Sequence, residues 1–286
     1  MRHHYIPQFL LRAWAGADEK IEVFWVDPQH LRSSRLAPKF TGYEDDLYAL
    51  TTSEVAGMEQ QAVGTKFLQR LDDLAARVLQ KMAATGFADL TPEDRCVWVY
   101  FIMSLRSRTP EVVSQLHMEG SNSLKDSLDE RPEEYEAISE TTDPPTLMEW
   151  SEQQFPGLIE NFGTMSFPSF VCNPDIGQKI LDMKWRLWDF RGQKNHLLLA
   201  DRPCIFTTGI DDPDLVIALP ISPWKAFMAN KTDRLASIMR QQRPKDLLMR
   251  MNESSLSQAK IRVYARDATP DRFICNRLNV QDSAQD

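Results

Sequence analysis

Residues 91–111 read TPEDRCVWVYFIMSLRSRTPE, and the start signals at both ends of this stretch decide the fold class. Thr91-Pro92-Glu93 supplies a helix cap, a first-turn proline and an acid that suits a helix amino terminus. Residues 97–103 are apolar on every face of the helix that follows, which predicts a buried helix. Thr109-Pro110-Glu111 repeats the start signal, so one helix is predicted to end there and another to begin. The centre of the chain is therefore predicted to be a helical core.

Outward from this core, the patterns divide the chain into further elements. Residues 21–27 alternate imperfectly and are rich in β-branched and aromatic residues, which predicts an early strand. Residues 54–85 carry apolar positions three or four apart and predict one long amphipathic helix that ends at Gly86. Beyond residue 165, short apolar or alternating segments bounded by turn residues predict strands. These strands are residues 184–190, 196–200, 204–207, 215–219 and 260–265.

The order of these elements predicts an α+β fold. A helical half is inserted after an early strand and is followed by a small mixed β-sheet with further helices, a sheet that the early strand can join. Between the last two predicted strands, apolar residues at helical spacing predict a pair of helices broken at Pro244. No linker-like segment divides the chain, so we expect one domain over residues 1–286. It comprises the amino-terminal motif and early strand (1–50), the helical half (51–164) and the sheet half with a basic helical pair (165–280).

Charge limits the range of partners. The net charge of −8 argues against non-specific coating of nucleic acid. Residues 111–160 hold thirteen acids against two bases, and residues 231–266 hold nine bases against three acids. The acidic segment is a candidate surface for a protein partner, and the basic segment is a candidate surface for an anionic ligand. The alternative is that both are solvated helical faces that lie apart or dock on each other.

The number of cysteines and the length of the apolar runs predict where in the cell the protein is located. Four scattered cysteines without paired or zinc-binding spacing indicate reduced thiols in a cytoplasmic protein. The apolar runs are too short for a signal peptide or for a bilayer-spanning helix, so we expect neither.

The amino terminus carries the most distinctive motif, HHYIPQFLLR at residues 3–12. A histidine near neutral pH can act as a general base or ligate a metal. Adjacent side chains on an extended segment point to opposite faces, so we expect at most one of His3 and His4 at any given site. The alternative interpretation is structural, with His4 and Tyr5 hydrogen-bonded to the backbone and the segment docked into the core.

At this motif the chain resembles the bacterial family called domain of unknown function 4238, whose members begin with a stretch similar to HHYVPQFYLR. The resemblance continues through residues 46–48 with Glu59, through RSRTP at 106–110, and through ADRP at 200–203 and LPISP at 219–223. Ala200 and Arg202 depart from the family's Ser-Asp-Asn-Pro turn, which weakens a ligand-holding role there. The resemblance implies a shared fold and no established activity.

Two functions fit these residues. The first is a metal-assisted hydrolase, such as a nuclease in a bacterial conflict or defence system. Its catalytic residues would be His4, Asp201 and Arg106, with a metal, as the expected cofactor, held by His4, Glu59 and Asp201. Its substrate-binding residues would be His3, Tyr5, Arg108, Arg202 and Ser222. The second function is a non-catalytic protein-binding module in which these same residues are structural. For Asp201 that means a turn former, and for Arg106 and Arg108 it means ion pairs with the acids of the helical half.

Several enzyme classes lose support because their motifs are missing from the sequence. The chain has no Walker loop, no GxGxxG after a strand, no HExxH and no EF-hand loop. Ser222 lies between prolines without GxSxG geometry, so a serine-hydrolase elbow is unsupported.

Overall fold

The helical half begins where the sequence places its start signals. In the computed structural model, which describes residues 1–28, 30–130, 132–278 and the backbone of 281–282, helix α3 follows Thr91 directly. The Thr91 side chain accepts the Asp94 N–H while the Asp94 carboxylate accepts the Thr91 N–H, which confirms the predicted cap. The next helix begins at Pro110, as predicted. The helices of this half are α2 (Gln69–Thr85), α3 (Pro92–Ser107), α4 (Pro110–Asp129), α5 (Pro132–Glu136), α6 (Leu147–Gln154), α7 (Leu158–Val171) and α8 (Pro174–Leu181).

The prediction of one helix over residues 54–85 is wrong at its amino-terminal end. Residues 54–59 form a two-stranded ribbon, β5 (Glu54–Val55) and β6 (Met58–Glu59). Ala56 and Gly57 have φ values of 45° and 80°, and this left-handed pair turns the chain back on itself. The helix starts as a π-helical turn at Val63–Leu68, continues into α2 and ends at Gly86, whose φ is 69°.

The segment before this ribbon carries the amino-terminal motif and the early strand. Strand β1 (Arg2–His4) pairs with β4 (Tyr43–Asp45), and helix α1 (Gln8–Arg12) follows β1. Strand β2 (Ile21–Asp27) coincides with the predicted early strand. It forms a hairpin with β3 (His30–Leu36), which the sequence analysis missed.

The sheet half contains two sheets where one was predicted. Strands β7 (Lys184–Asp189), β9 (Ile205–Phe206), β10 (Val216–Ser222) and β11 (Lys225–Asn230) form an antiparallel sheet in the order β7-β11-β10-β9. Strands β8 (Leu199–Ala200), β12 (Val263–Ala265) and β13 (Gln281–Asp282) join β2 and β3 in the order β13-β3-β2-β12-β8. The early strand therefore pairs into a sheet of the carboxyl-terminal half. Two sheets form because β10 and β11 pair with each other and take β9 and β7 as their outer neighbours, while β12 pairs with β2 on one side and β8 on the other.

The predicted pair of basic helices is confirmed as α9 (Asp233–Gln241) and α10 (Pro244–Gln258), and α11 (Asp271–Leu278) follows β12. The α+β class is confirmed by these elements. One hydrophobic cluster includes Leu10 near the amino terminus, Trp98 on α3 and Phe227 on β11, all fully buried. The three parts of the chain thus contribute to a common core. Within the described residues, no helix is long and apolar enough to cross a bilayer.

Candidate active site

A cleft of about 410 Å³ opens beside the amino-terminal motif. One wall comes from β1 and α1, and the other comes from the helix that starts at Val63 and continues into α2. Such a volume is in the range of small-molecule sites. The polar residues that line it are Arg2, His3, His4, Gln8, Arg12, Tyr48, Thr65, Gln69, Asp72 and Asp73.

His3 is held rigidly in the wall of this cleft. Its Nδ1 accepts the Tyr48 N–H at 3.0 Å, so the neutral ring carries its proton on Nε2, and the ring stacks on that of Tyr48. A Cβ at Gly64 would lie 2.6 Å from His3 Nε2, so this position admits no larger residue without movement of the ring. Burial lowers the pKa of His3 below its usual 6.5, although the Asp46 carboxylate opposes this shift. The contacts with Tyr48 and Gly64 therefore fix the His3 ring in the cleft wall.

His4 contacts different neighbours, as expected for adjacent residues of a strand, but it lines the same cleft. This corrects the expectation that only one of the two histidines would face a given site. Burial lowers the pKa of His4, and the Arg2 and Arg12 charges lower it further, against the opposing effect of the Pro38 and Lys39 backbone. His4 Nε2 is buried and has no hydrogen-bond partner within the described parts of the chain. His4 is thus an uncharged base beside two cations.

The opposite wall contains a buried ion pair. The Arg108 guanidinium, fully buried, donates to both oxygens of Asp72 at 2.9 and 3.1 Å and to the Ser104 hydroxyl at 2.7 Å. The Tyr48 hydroxyl donates to the Arg108 carbonyl. Burial raises the pKa of the Asp72 carboxyl, and the Arg108 charge opposes that shift. Arg108, expected to bind substrate, is engaged instead in holding α3 against α2 and the amino-terminal segment.

Seven polar residues of this cleft were missed by the sequence analysis: Arg2, Gln8, Arg12, Thr65, Gln69, Asp72 and Asp73. Two signals could have found four of these. Arg12 belongs to the same HHYIPQFLLR motif, and Thr65, Gln69 and Asp73 recur at intervals of four residues, which places them on one face of a helix.

Asp201 lies outside the cleft, in a buried network behind β12. Its carboxylate accepts the backbone N–H groups of Lys260, Ile261 and Arg262 at 2.9, 2.6 and 3.1 Å. The carboxylate thereby shapes the chain that enters β12. Tyr5 faces the same network, where burial raises the pKa of its phenol to about 12.

The remaining predicted site residues lie in other places. Arg202 pairs with Glu111 at 3.5 Å, and the Ser222 hydroxyl accepts the N–H groups of Trp224 and Lys225 in the turn between β10 and β11. Glu59, which lies on strand β6 and not on a helix, is exposed and pairs with Lys66. Arg106 lines a separate cavity, beside Phe206.

The structure therefore does not bring the expected metal ligands together. Of His4, Glu59 and Asp201, only His4 lines the cleft. Across the described residues, no group of three or more His, Cys, Asp or Glu side chains is arranged to hold a metal ion.

Comparison with known proteins assigns a family and no activity. A family model described as "Protein of unknown function (DUF4238)" matches residues 2–269. No curated protein and no solved structure matches the chain.

Proposed function

The chain belongs to the DUF4238 family, and from the geometry of its cleft we propose that it is a hydrolase of phosphodiester bonds in which His4 is the general base. One observation carries the proposal: His4, Arg2 and Arg12 line the same polar cleft, where burial and the two arginine charges lower the pKa of His4. Neither Arg2 nor Arg12 pairs with a carboxylate among the residues that the structure describes. Arg2 lies over the Tyr43 ring, and Arg12 donates to Gln8.

Two cations beside a proton acceptor suit an anionic substrate. The guanidinium groups of Arg2 and Arg12 would bind the non-bridging oxygens of a phosphodiester and stabilise the charge that develops there as the bond breaks. His4, kept neutral by burial and by these cations, would take a proton from the attacking water as the water oxygen bonds to phosphorus. The bond from phosphorus to the leaving alcohol oxygen breaks in the same step, and solvent would protonate that oxygen. Gln69 and Asp73 line the same cleft and would orient that water.

The proposal assigns different roles from those expected from the sequence. Arg12 and Arg2 replace Arg106 as the residues that bind the phosphate, because Arg106 lines another cavity. Glu59 and Asp201 are not assigned to this site, because neither lines the cleft. We further propose a bacterial cytoplasmic location, which is supported by four cysteines that form no disulfide.

The test is cleavage of labelled RNA, labelled DNA and bis(p-nitrophenyl) phosphate by the purified chain, with Mg²⁺, with Mn²⁺ and with chelator. His4→Ala should lower kcat by about 10²- to 10⁴-fold, the usual contribution of a general base. Arg12→Gln should both raise KM and lower kcat, because the guanidinium binds the phosphodiester and stabilises the charge that develops in the transition state. His30→Ala, at a half-buried histidine of β3 outside the cleft, is the matched control and should retain full activity.

The pH profile supplies a second readout. The pKa of His4 is lowered from 6.5, so His4 is a competent base at neutral pH and loses that function only as the pH falls through this lowered pKa. We expect kcat/KM to decline on the acid side and to be flat near neutrality. Cleavage that persists in His4→Ala, or that is absent in the folded wild type on all three substrates, would overturn the proposal.

A second candidate function, a non-catalytic protein-binding module, has its own supporting observation. The contacts of His3, Arg108, Asp201 and Ser222 are all explained by the fold, as expected for structural residues. The acidic segment 111–160 would then be the binding surface, with Met118 and Ile138 exposed on it. The basic segment 231–266 stays a candidate surface for an anionic ligand, and within it Arg243 pairs with Asp246. A folded wild type that cleaves nothing would favour the binding module.

A further inference from the structure

A second cavity, of about 290 Å³, lies between α3, α4, α7, α8 and β9. Its lining is mostly apolar and includes Met103, Val112, Phe170, Ile176, Ile180 and Phe206. It shares no lining residue with the His4 cleft, so the two sites can be tested independently. We call it the Arg106 cavity, because the one arginine in its lining is Arg106.

Arg106 brings a positive charge to this apolar cavity. Its guanidinium lies 4.4 Å from the centre of the Phe206 ring, a cation–π contact that holds the charge in the lining. No carboxylate lies within ion-pair distance of Arg106 in the portion of the chain that the structure describes. Arg108, two residues later, also lies over a phenylalanine ring but is fully buried and paired with Asp72. Residues two apart lie on different faces of a helix, which is why these arginines have different environments.

An apolar cavity with a single unpaired cation matches one class of ligand. We propose that the Arg106 cavity binds an amphipathic monocarboxylate, with its alkyl chain among the apolar side chains and its carboxylate on the Arg106 guanidinium. A guanidinium accommodates a carboxylate with two parallel hydrogen bonds, and the apolar lining accounts for the chain. At about 30 Å³ per group of the size of a water molecule, the cavity holds about ten such groups, which corresponds to a medium-chain acid.

The experiment is titration calorimetry of the full chain with hexanoate, octanoate and decanoate, and with methyl octanoate as the uncharged analogue. Each added methylene that enters the cavity should raise affinity about fourfold. Octanoate should therefore bind about 16-fold more tightly than hexanoate. Methyl octanoate should bind at least about tenfold more weakly than octanoate, because it lacks the charge that pairs with Arg106.

Variants of the protein test separately how the carboxylate and the alkyl chain of the ligand are bound. Arg106→Gln should weaken octanoate binding at least about tenfold, and Arg106→Lys should restore part of it, since lysine keeps the charge but not the paired geometry. Arg240→Gln, at an exposed arginine of α9, is the matched control and should bind as the wild type does. Val112→Phe fills the cavity and should remove the dependence on chain length.

Because Arg106 is exposed, Arg106→Gln should keep the wild-type melting temperature, and that measurement accompanies every titration. Three results would each overturn the proposal. They are no octanoate binding by the wild type at millimolar concentration, equal binding of octanoate and methyl octanoate, and octanoate binding that is unchanged in a folded Arg106→Gln protein.

Discussion

Asp201→Asn tests whether the carboxylate behind β12 is a structural acceptor. The substitution keeps the size and shape of the side chain and changes only its charge and its hydrogen-bonding atoms. In the native protein, Oδ1 accepts the Lys260 N–H, and Oδ2 accepts those of Ile261 and Arg262. The residue is 4% exposed, so water can replace these bonds only where the chain that donates them is itself exposed.

The magnitude follows from counting these bonds. Asparagine has only one side-chain oxygen. If that oxygen takes the Oδ2 position, it keeps the hydrogen bonds from Ile261 and Arg262. The side-chain NH2 group then faces the Lys260 N–H, and this donor loses its acceptor. The unpaired donor costs about 1–3 kcal/mol, and loss of charge weakens each remaining bond by about 1 kcal/mol. Because Lys260 is exposed, water can compensate part of the loss, and we expect a total near the lower end, about 3 kcal/mol. For 286 residues, this corresponds to a melting temperature lower by about 5 °C.

The assay is urea unfolding followed by tryptophan fluorescence, with thermal melting alongside. Asp212→Asn is the matched control, since Asp212 accepts one backbone N–H, from Asp214, in an exposed turn. We expect the control to lose less than about 1 kcal/mol. An equal and small loss in both variants would refute the structural interpretation of Asp201. Loss of phosphodiester cleavage with full stability would instead place Asp201 in the catalytic machinery.

Three further perturbations test other parts of the fold. Gly163→Ala should cost about 1–3 kcal/mol in urea unfolding, because its Cβ would lie 2.1 Å from the Leu116 carbonyl oxygen, where α7 crosses α4. Asp72→Ala should cost about 3–5 kcal/mol in the same assay, because it leaves Arg108 buried without its counter-charge. The free energy of unfolding should fall as the pH drops below 6.5, because histidines whose pKa is lowered by folding bind protons less readily in the folded state than in the unfolded state. Above pH 6.5 this loss should be absent. Urea midpoints at pH 7.5 and 5.0 would show the difference. These histidines are His3, His4 and His196.

Each of these three has a control in the same chain. Gly209→Ala adds a Cβ with nothing within 4 Å and should be nearly neutral, so equal losses at both glycines would contradict the packing argument. Asp73→Ala, next to Asp72, removes a carboxylate outside the ion pair and should cost much less. His4→Gln should reduce the difference between the two pH values, and an unchanged difference would exclude His4 as a contributor.

The helix boundaries were predictable because their causes are local. The cap at Thr91 and the proline at 92 act within four residues, and the structure begins α3 there. The error over residues 54–62 was also local. Gly57, with φ 80°, is a turn signal in the sequence, but the apolar residues on both sides of it keep a helical spacing.

The candidate site was harder to predict because its contacts join distant parts of the chain. Arg108 and Asp72 are 36 positions apart, and nothing in the sequence around either residue indicates the pair. Asp201 accepts hydrogen bonds from three backbone N–H groups about 60 residues later. Because every residue other than proline has such a group, these contacts leave no pattern of side chains in the sequence. His4 was found from its motif, whereas its arginine neighbours require the fold.

The pairing of β2 with β12 also bears on how the protein is made. The strand Ile21–Asp27 gains its second neighbour only when Val263–Ala265, about 240 residues later, has been synthesised. At about 5–20 residues per second, that wait lasts about 10–50 s on the ribosome. Throughout it, β2 exposes an edge of unpaired peptide groups that can recruit strands from other chains. Slow translation at high expression would therefore favour inclusion bodies, and a chaperone that covers nascent strands should raise the yield of folded protein.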